Sequence, residues 1–204
     1  MKIVAVSQRV DHCHDRNERR DALDQRLTTF LLVAGFVPVP VPNGLYKALP
    51  DGRCDTEVLD TWLGAVKPQA FVLSGGNDIG QCCERDLTEG WLLDHASQYQ
   101  MPLLGICRGM QMMAHWAGVE LFPVQGHVKT RHRLTGEVAD EVNSYHGFSL
   151  ATCPVDFEVF ARSEDGEIEA IRHQSLAWEG WMWHPEREAE FAANDIQRLK
   201  ALFL

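Results

Sequence analysis

Apolar and polar positions follow two different periods along this chain. Ile3 to Val6 is an apolar run of strand length, and the polar stretch Gln8 to Asn17 after it reads as a loop. From Glu18 the spacing changes. Ala22, Leu23, Leu27, Phe30, Leu31 and Ala34 recur at intervals of three, four and one, which predicts a helix that Gly35 terminates. Phe36 to Val41 is extended but carries Pro38 and Pro40, with Pro42 just beyond. Proline has no N–H to give to a ladder, so this strand is expected to be short or at a sheet edge. Asn43 to Arg53 reads as a loop. Asp55 can cap a second helix whose buried face is Val58, Leu59, Trp62, Leu63 and Val66, with Pro68 after it. Ala70 to Leu73 predicts a strand, Asp86 to Tyr99 a helix and Leu103 to Ile106 a strand. A further helix-period run follows, with Met110, Met113 and Ala114 on one side.

Strand and helix therefore alternate through the first half, which predicts an α/β fold with a flavodoxin-like, doubly wound, mostly parallel sheet and helices on both faces. Ligands of such sheets bind beyond the carboxyl ends of the strands. The second half changes character. Phe122 to Val128, Val138 to Val142, Phe157 to Ala161, Ile168 to His173 and Leu176 to Trp183 read as strands separated by turns such as Glu164-Asp165-Gly166, an added β segment. A last helix spans Ala189 to Phe203, with Phe191, Ile196, Leu199 and Leu202 apolar. No repeat or linker interrupts this order, and 204 residues suit one domain, 1–204.

Composition narrows the function classes. A net charge of −10 argues against non-specific nucleic-acid binding, which needs a basic surface. No apolar run approaches the roughly 20 residues that span a bilayer, so no membrane association is expected. The opening Met1 to Ser7 turns polar too soon for a signal peptide. The six cysteines form no C-x-x-C pair, which with the missing signal implies a reducing, cytoplasmic setting. His12-Cys13-His14 lacks a distant partner pair, so no metal or other cofactor is expected, and Cys82-Cys83 reads as two reduced thiols. His127 and His132 fall in a polar loop that either lines a site or is solvated, and the tryptophans of 178–183 read as core and pocket wall.

The candidate chemistry centres on Gly105-Ile-Cys107-Arg-Gly109. An apolar strand, a glycine-flanked turn and a helix make the layout of a nucleophile elbow, with the sulfur near the positive end of the following helix. A thiol nucleophile needs a base, and the base an orienting group. His184-Pro185-Glu186 follows the aromatic strand and offers both. Oxyanion donors could come from the Arg108 N–H and from the Gly75-Gly76 turn; no Gly-Lys-Ser/Thr follows that turn, so it is not a phosphate loop.

Taken in order and spacing, Gly75-Gly76, Gly105-Ile-Cys107-Arg-Gly109-Met-Gln111 and His184-Pro-Glu186 resemble the class I glutamine amidotransferase superfamily, which includes γ-glutamyl hydrolases. The resemblance covers most of the chain. It implies attack on a γ-glutamyl amide, a γ-glutamyl thioester and release of glutamate. It also implies Cys107 as nucleophile, His184 as base, Glu186 as its orienter, and Gly76 and Arg108 as oxyanion donors. Gly75, Gln111 and Asn143-Ser144-Tyr145-His146 would hold the glutamyl head.

Arg85-Asp86 with Glu89 resembles the hydrolase branch, which includes γ-glutamyl-γ-aminobutyrate hydrolases. Ala117 to Phe122 departs from that subgroup. Ser7-Gln8-Arg9, Glu18 to Asp24, Leu73 to Asp78 and Met182 to Glu188 look like the γ-glutamyl-CDP-amidate hydrolases of bacterial surface-polysaccharide pathways. That likeness implies cationic contacts to a nucleotide phosphoramidate from some of Arg9, Arg19, Arg20, Arg85, Arg108 and Arg187. The competing readings are a glutaminase that feeds a separate synthetase and, more remotely, a non-enzymatic binding module. Oligomeric state is not specified by the sequence.

Overall fold

The computed structural model describes residues 1–45, 47–48 and 54–204. The elements in chain order are β1 Lys2–Ser7, β2 Arg9–Cys13, β3 Glu18–Ala22, α1 Gln25–Val33, β4 Phe36–Val41, β5 Lys47–Ala48, β6 Cys54–Asp55, α2 Glu57–Val66, β7 Ala70–Leu73, α3 Cys83–Gln98, β8 Leu103–Ile106 and α4 Arg108–Trp116. The second half adds β9 Leu121–Pro123, β10 Val128–Gly136, β11 Glu141–Tyr145, β12 Phe148–Leu150, β13 Phe157–Ser163, β14 Ile168–His173, β15 Trp178–Trp181 and α5 Ala193–Phe203. Among the described residues, one nine-stranded sheet runs β11-β10-β13-β14-β15-β8-β7-β1-β4. Its β15-β8-β7-β1-β4 half is parallel, and the remaining strands extend it antiparallel.

The three central strands explain the parallel half. β7 and β8 are buried at every position, as apolar runs covered on both faces must be. Alternate side chains then serve opposite layers. Val4, Val6, Ala70, Val72, Leu104 and Ile106 pack with Leu27, Phe30 and Leu31 of α1 and Leu199 and Phe203 of α5. Ala5, Phe71, Leu73 and Leu103 pack with Leu59, Leu63, Leu92, Leu93, Met110 and Met113 of α2, α3 and α4. β4 pairs with β1 alone, Pro38 opposite Val4 and Pro40 opposite Val6, which is the edge position its prolines require. After β4 the chain returns to the other side of β1, so the sheet's switch point lies between β1 and β7, where Ser7 and Ser74 end their strands.

Several boundaries differ from the expected ones. Gln8 to Asn17 with Glu18 to Ala22 is an antiparallel hairpin, β2–β3, rather than a loop and a first helical turn. Most of its positions are polar and six of its ten strand positions are exposed, so no apolar face announces it. The helix begins at Gln25, where the Asp24 carboxylate accepts from the Arg26 N–H at 2.8 Å. Val58 is 57 % exposed, outside the buried face of α2 that Leu59 and Leu63 form. The Phe122 to Val128 strand is split into β9 and β10, and Val138 to Val142 shifts to Glu141–Tyr145. The Asn43 to Arg53 loop opens with a 3-10 turn at Asn43–Leu45, and residues 46 and 49–53 lie outside those described. Among the described residues no helix is long and apolar enough to cross a membrane.

Candidate active site

Cys107 caps the N-terminus of α4 with φ +50° and ψ −105°, a left-handed backbone unusual for a residue with a side chain. The flanking glycines make this turn possible. A Cβ on Gly105 would lie 2.6 Å from the Gly109 carbonyl carbon, and one on Gly109 would lie 2.1 Å from the Leu73 oxygen. The Cys107 N–H donates to the Trp181 carbonyl at 2.7 Å, which ties the elbow to the strand that leads to His184.

His184 follows β15 and is 2 % exposed. Its Nδ1 lies 2.7 Å from Oε1 of Glu186, itself 3 % exposed, and the ring and the Cys107 thiol act on each other's ionisation. Burial alone would raise the Cys107 thiol, but the charge and hydrogen bond of His184 outweigh it and hold it below the ordinary thiol value. Burial alone would lower His184, but the Cys107 charge and the hydrogen bonds to Cys107 and Glu186 raise it to about 9. The pair therefore favours thiolate and imidazolium, the state from which sulfur attacks and the ring gives up a proton. This ionisation predicts an alkylation signature. Thiolate persists above the depressed cysteine value, so iodoacetamide labelling of Cys107, read by peptide mass, should fall less steeply from pH 8 to 7 than that of a free thiol. A free thiol falls severalfold over that step. His184→Gln should restore the steep free-thiol profile; a wild-type profile already that steep would disprove the ion pair.

The Ser74-Gly75-Gly76 turn faces this pair. A Cβ on Gly75 would come 2.6 Å from His184 Cε1, so only glycine lets the ring sit there. Gly76 has φ +108°, and no acceptor among the described residues meets its N–H. The Arg108 N–H opens α4 and has no intrahelical acceptor. These two N–H groups are candidate anion donors.

A buried charge network supports the turn. Arg85 is 0 % exposed and donates to the Ser74 carbonyl at 2.6 Å, the Gly75 carbonyl at 3.1 Å and Glu89 at 2.9 Å. Glu89 also accepts from Ser7 Oγ at 2.7 Å and pairs with Arg108, which pairs in turn with Asp86. Arg85 and the Arg108 side chain, two of the candidates for phosphate contact, are buried within this network. Arg19 pairs with Glu84 and Arg20 with Glu18, on the outer strand of the hairpin. Arg9, paired with Asp11 at 2.9 Å, and Arg187 lie beside the site. With Gly75, Gly76 and Glu186 they line one recess, and Arg187 stacks on Tyr145 with 4.6 Å from its guanidinium carbon to the ring centroid.

The Asn143 to His146 segment crosses the opposite side. Asn143 clamps His184 by accepting from its N–H at 3.0 Å and donating to its carbonyl at 2.8 Å, and it also donates to Glu188 at 2.7 Å. The sequence marked Asn143 but not this clamp, which only the fold brings about. Tyr145 sets its ring perpendicular to that of His184, centroids 5.7 Å apart. Ser144 Oγ donates to the His127 carbonyl at 2.6 Å, and His146 is buried. His127 is 1 % exposed, and His132 lies within β10, so neither is a solvated loop residue. Gln111 donates to the Phe148 carbonyl at 3.0 Å and lines a pocket of about 320 Å³ with Asp78, His115, Glu120 and Phe148. A larger cleft of about 840 Å³, lined by Arg131, Arg172, Asp195 and Arg198, includes none of Cys107, His184 and Glu186.

Comparison with known proteins places this geometry among relatives. Residues 51–201 match the family model of glutamine amidotransferase class-I. Over 141 residues the chain is 34 % identical to the γ-glutamyl-CDP-amidate hydrolase of Campylobacter jejuni, covering 66 % of this chain and 70 % of that one. It is 32 % identical over 151 residues to a subunit of the glutamine-hydrolyzing GMP synthase of Thermococcus kodakarensis, covering 66 % and 74 %. A solved structure from Thermoplasma acidophilum, described as a GMP synthase component, superposes with a TM-score of 0.71 at 18 % identity, covering 100 % of this chain and 93 % of that one. That likeness speaks for the fold.

Proposed function

The chain belongs to the glutamine amidotransferase class-I family and is an amide-hydrolysing enzyme, and from that premise we propose that it cleaves a γ-glutamyl amide through a thioester on Cys107. The observation that carries this reading is the buried Cys107–His184–Glu186 chain at the elbow. Cys107 sulfur attacks the γ-carbonyl carbon, and the oxyanion takes the N–H groups of Gly76 and Arg108. The C–N bond breaks as His184 protonates the leaving nitrogen. Water, deprotonated by His184, then attacks the thioester carbonyl and releases glutamate and the thiolate. Glu186 holds the ring, and Asn143 holds its backbone. The glutamyl head takes the pocket beside Gln111, where Asp78 and Glu120 suit an α-ammonium group. Ser144, Tyr145 and His146 form the wall of the site on the other side of His184.

The leaving group extends toward Arg9 and Arg187, two cations that suit an anionic phosphoramidate such as that of γ-glutamyl-CDP-amidate. The Campylobacter jejuni relative's name supports this substrate, and the place in surface-polysaccharide synthesis is the one that the resemblance of the sequence motifs implies. A substrate panel read by mass spectrometry tests it, comparing glutamine, γ-glutamyl-γ-aminobutyrate and γ-glutamyl-CDP-amidate. The nucleotide conjugate should give the highest kcat/KM. Arg9→Gln should raise its KM about tenfold, the worth of one charge-assisted contact, and leave glutamine kinetics within about twofold. Equal effects on both substrates would refute the leaving-group assignment.

The second reading, a glutaminase that supplies ammonia to a separate synthetase, draws on the GMP synthase relatives. It requires activity on glutamine that rises with a partner present. Rapid hydrolysis by the isolated chain eliminates it.

A further inference from the structure

We propose that His127, His132, His146 and Glu169 form a four-ligand zinc site that pins the antiparallel extension of the sheet beside His184. One ligand atom from each of the four lies within 4.8 Å of the other three. The individual edges are closer to a coordination polyhedron than to packing chance. His127 Nδ1 and His146 Nε2 are 3.2 Å apart. Glu169 Oε1 lies 3.5 Å from the first, 3.3 Å from the second and 3.7 Å from His132 Nε2. A tetrahedral zinc with bonds near 2.0–2.1 Å has ligand–ligand edges of about 3.3 Å.

The outer nitrogens point to the same conclusion. His146 Nδ1 faces the Phe148 carbonyl at 3.0 Å, and a carbonyl can only accept, so that nitrogen carries the proton. His127 Nε2 faces the Asp165 carboxylate at 2.9 Å, and Asp165 is itself held by Ser163 Oγ at 2.5 Å. In the neutral rings, His127 Nδ1 and His146 Nε2 then present lone pairs toward each other, an arrangement a cation between them resolves. Metal-bound histidines are oriented this way, with the second nitrogen on a carboxylate or carbonyl. His132 Nε2 and Glu169 Oε2 are buried and have no hydrogen-bond partner among the described residues, and Glu169 is 0 % exposed. Buried polar atoms are rarely left so. Three imidazoles and one carboxylate suit zinc, and four protein ligands make a closed, structural site.

Its place in the fold gives it a task. The ligands come from the turn before β10, from β10, from the turn after β11 and from β14. Glu169 accepts the Met182 N–H through its carbonyl at 2.8 Å, two residues before His184, and Tyr145 precedes His146. Bound zinc would thus fix the segment that packs on the His184 ring. This site stands independently of the substrate reading.

Metal analysis of the purified chain tests it. After incubation with zinc and dialysis, the protein should hold about one zinc per chain. The chelated protein should unfold at lower temperature, and cobalt(II) should give the intense visible bands of a tetrahedral site. Cys107→Ala should leave stoichiometry and cobalt spectrum unchanged, which separates this site from adventitious binding at the triad. His132→Gln and Glu169→Gln should lose the metal. Asp165→Asn should weaken affinity about 10–100-fold, a change that a metal-free hydrogen-bond network would not produce. Should His132→Gln fail to fold, cobalt binding by the Cys107→Ala protein decides. Less than about 0.1 zinc per chain after saturation, or metal lost in Cys107→Ala and kept in Glu169→Gln, overturns the proposal.

Discussion

Cys107→Ala should reduce glutamate release by about 10⁴-fold or more while leaving the fold intact. The proposed route runs entirely through one sulfur, so its removal deletes both the acylation and the thioester steps. Single losses from a triad cost nearly as much as losing the whole unit, because the members act together. Residual turnover would come from the oxyanion donors and binding alone. The side chain is small and lies at the mouth of α4, so truncation opens little core volume. The positive φ is already borne by an L residue, and alanine bears it at similar cost. Circular dichroism and melting temperature should therefore stay near wild type, and intact substrate should co-purify or titrate onto the variant. Mass spectrometry of wild type quenched in acid during turnover should show the γ-glutamyl adduct on the Cys107 peptide, absent from the variant. Retention of more than a few per cent of activity in Cys107→Ala would sink the nucleophile assignment.

What could be read from the sequence follows from where burial is dense. β1, β7, β8 and β14 were visible because apolar runs of strand length sit between turn signals and stay buried. Proline spacing alone identified β4 as an edge. Cys107 and the His184-Pro185-Glu186 triplet are 77 positions apart, yet their local patterns point to complementary chemistry, and β15 lying parallel beside β8 unites them. The hairpin β2–β3 was not visible. Its strands are paired by backbone and covered by polar side chains, so periodicity carries no signal. Arg85 reads from sequence as a candidate nucleotide contact, and the carbonyls of Ser74 and Gly75 above it and Glu89 beside it explain its burial. The histidine cluster was hidden for a topological reason. His127, His132, His146 and Glu169 are spread over 42 positions with no ligand spacing, and the antiparallel pairing of β10 with β11, His132 opposite Val142, brings the first three together.

Gly109→Ala should be the most damaging small substitution outside the triad, lowering stability by about 3 kcal/mol. The added methyl would sit 2.1 Å from the Leu73 carbonyl oxygen and 2.8 Å from the Leu73 Cβ. The obstacle is mainly the backbone of β7, a central strand paired with both β1 and β8, so no side chain can swing aside. Either α4 lifts from the sheet or β7 bends. For a chain of this length the melting temperature should fall by about 6–12 °C. Activity should fall further than the folded fraction explains. Leu73 precedes Ser74-Gly75-Gly76, and Gly109 lies two residues after Cys107, so the same strain separates the oxyanion donor from the sulfur. A displacement near 1 Å in such a constellation costs about 10²-fold in rate. Gly64→Ala is the control of opposite sign. Gly64 lies inside α2 with open space where a Cβ would go, so alanine there should raise stability by about 0.5–1 kcal/mol through helix propensity. Thermal melts and kcat of both variants decide the matter. Equal stability in Gly109→Ala and Gly64→Ala would mean that α4 is free to shift and that the elbow is not held by its contact with Leu73.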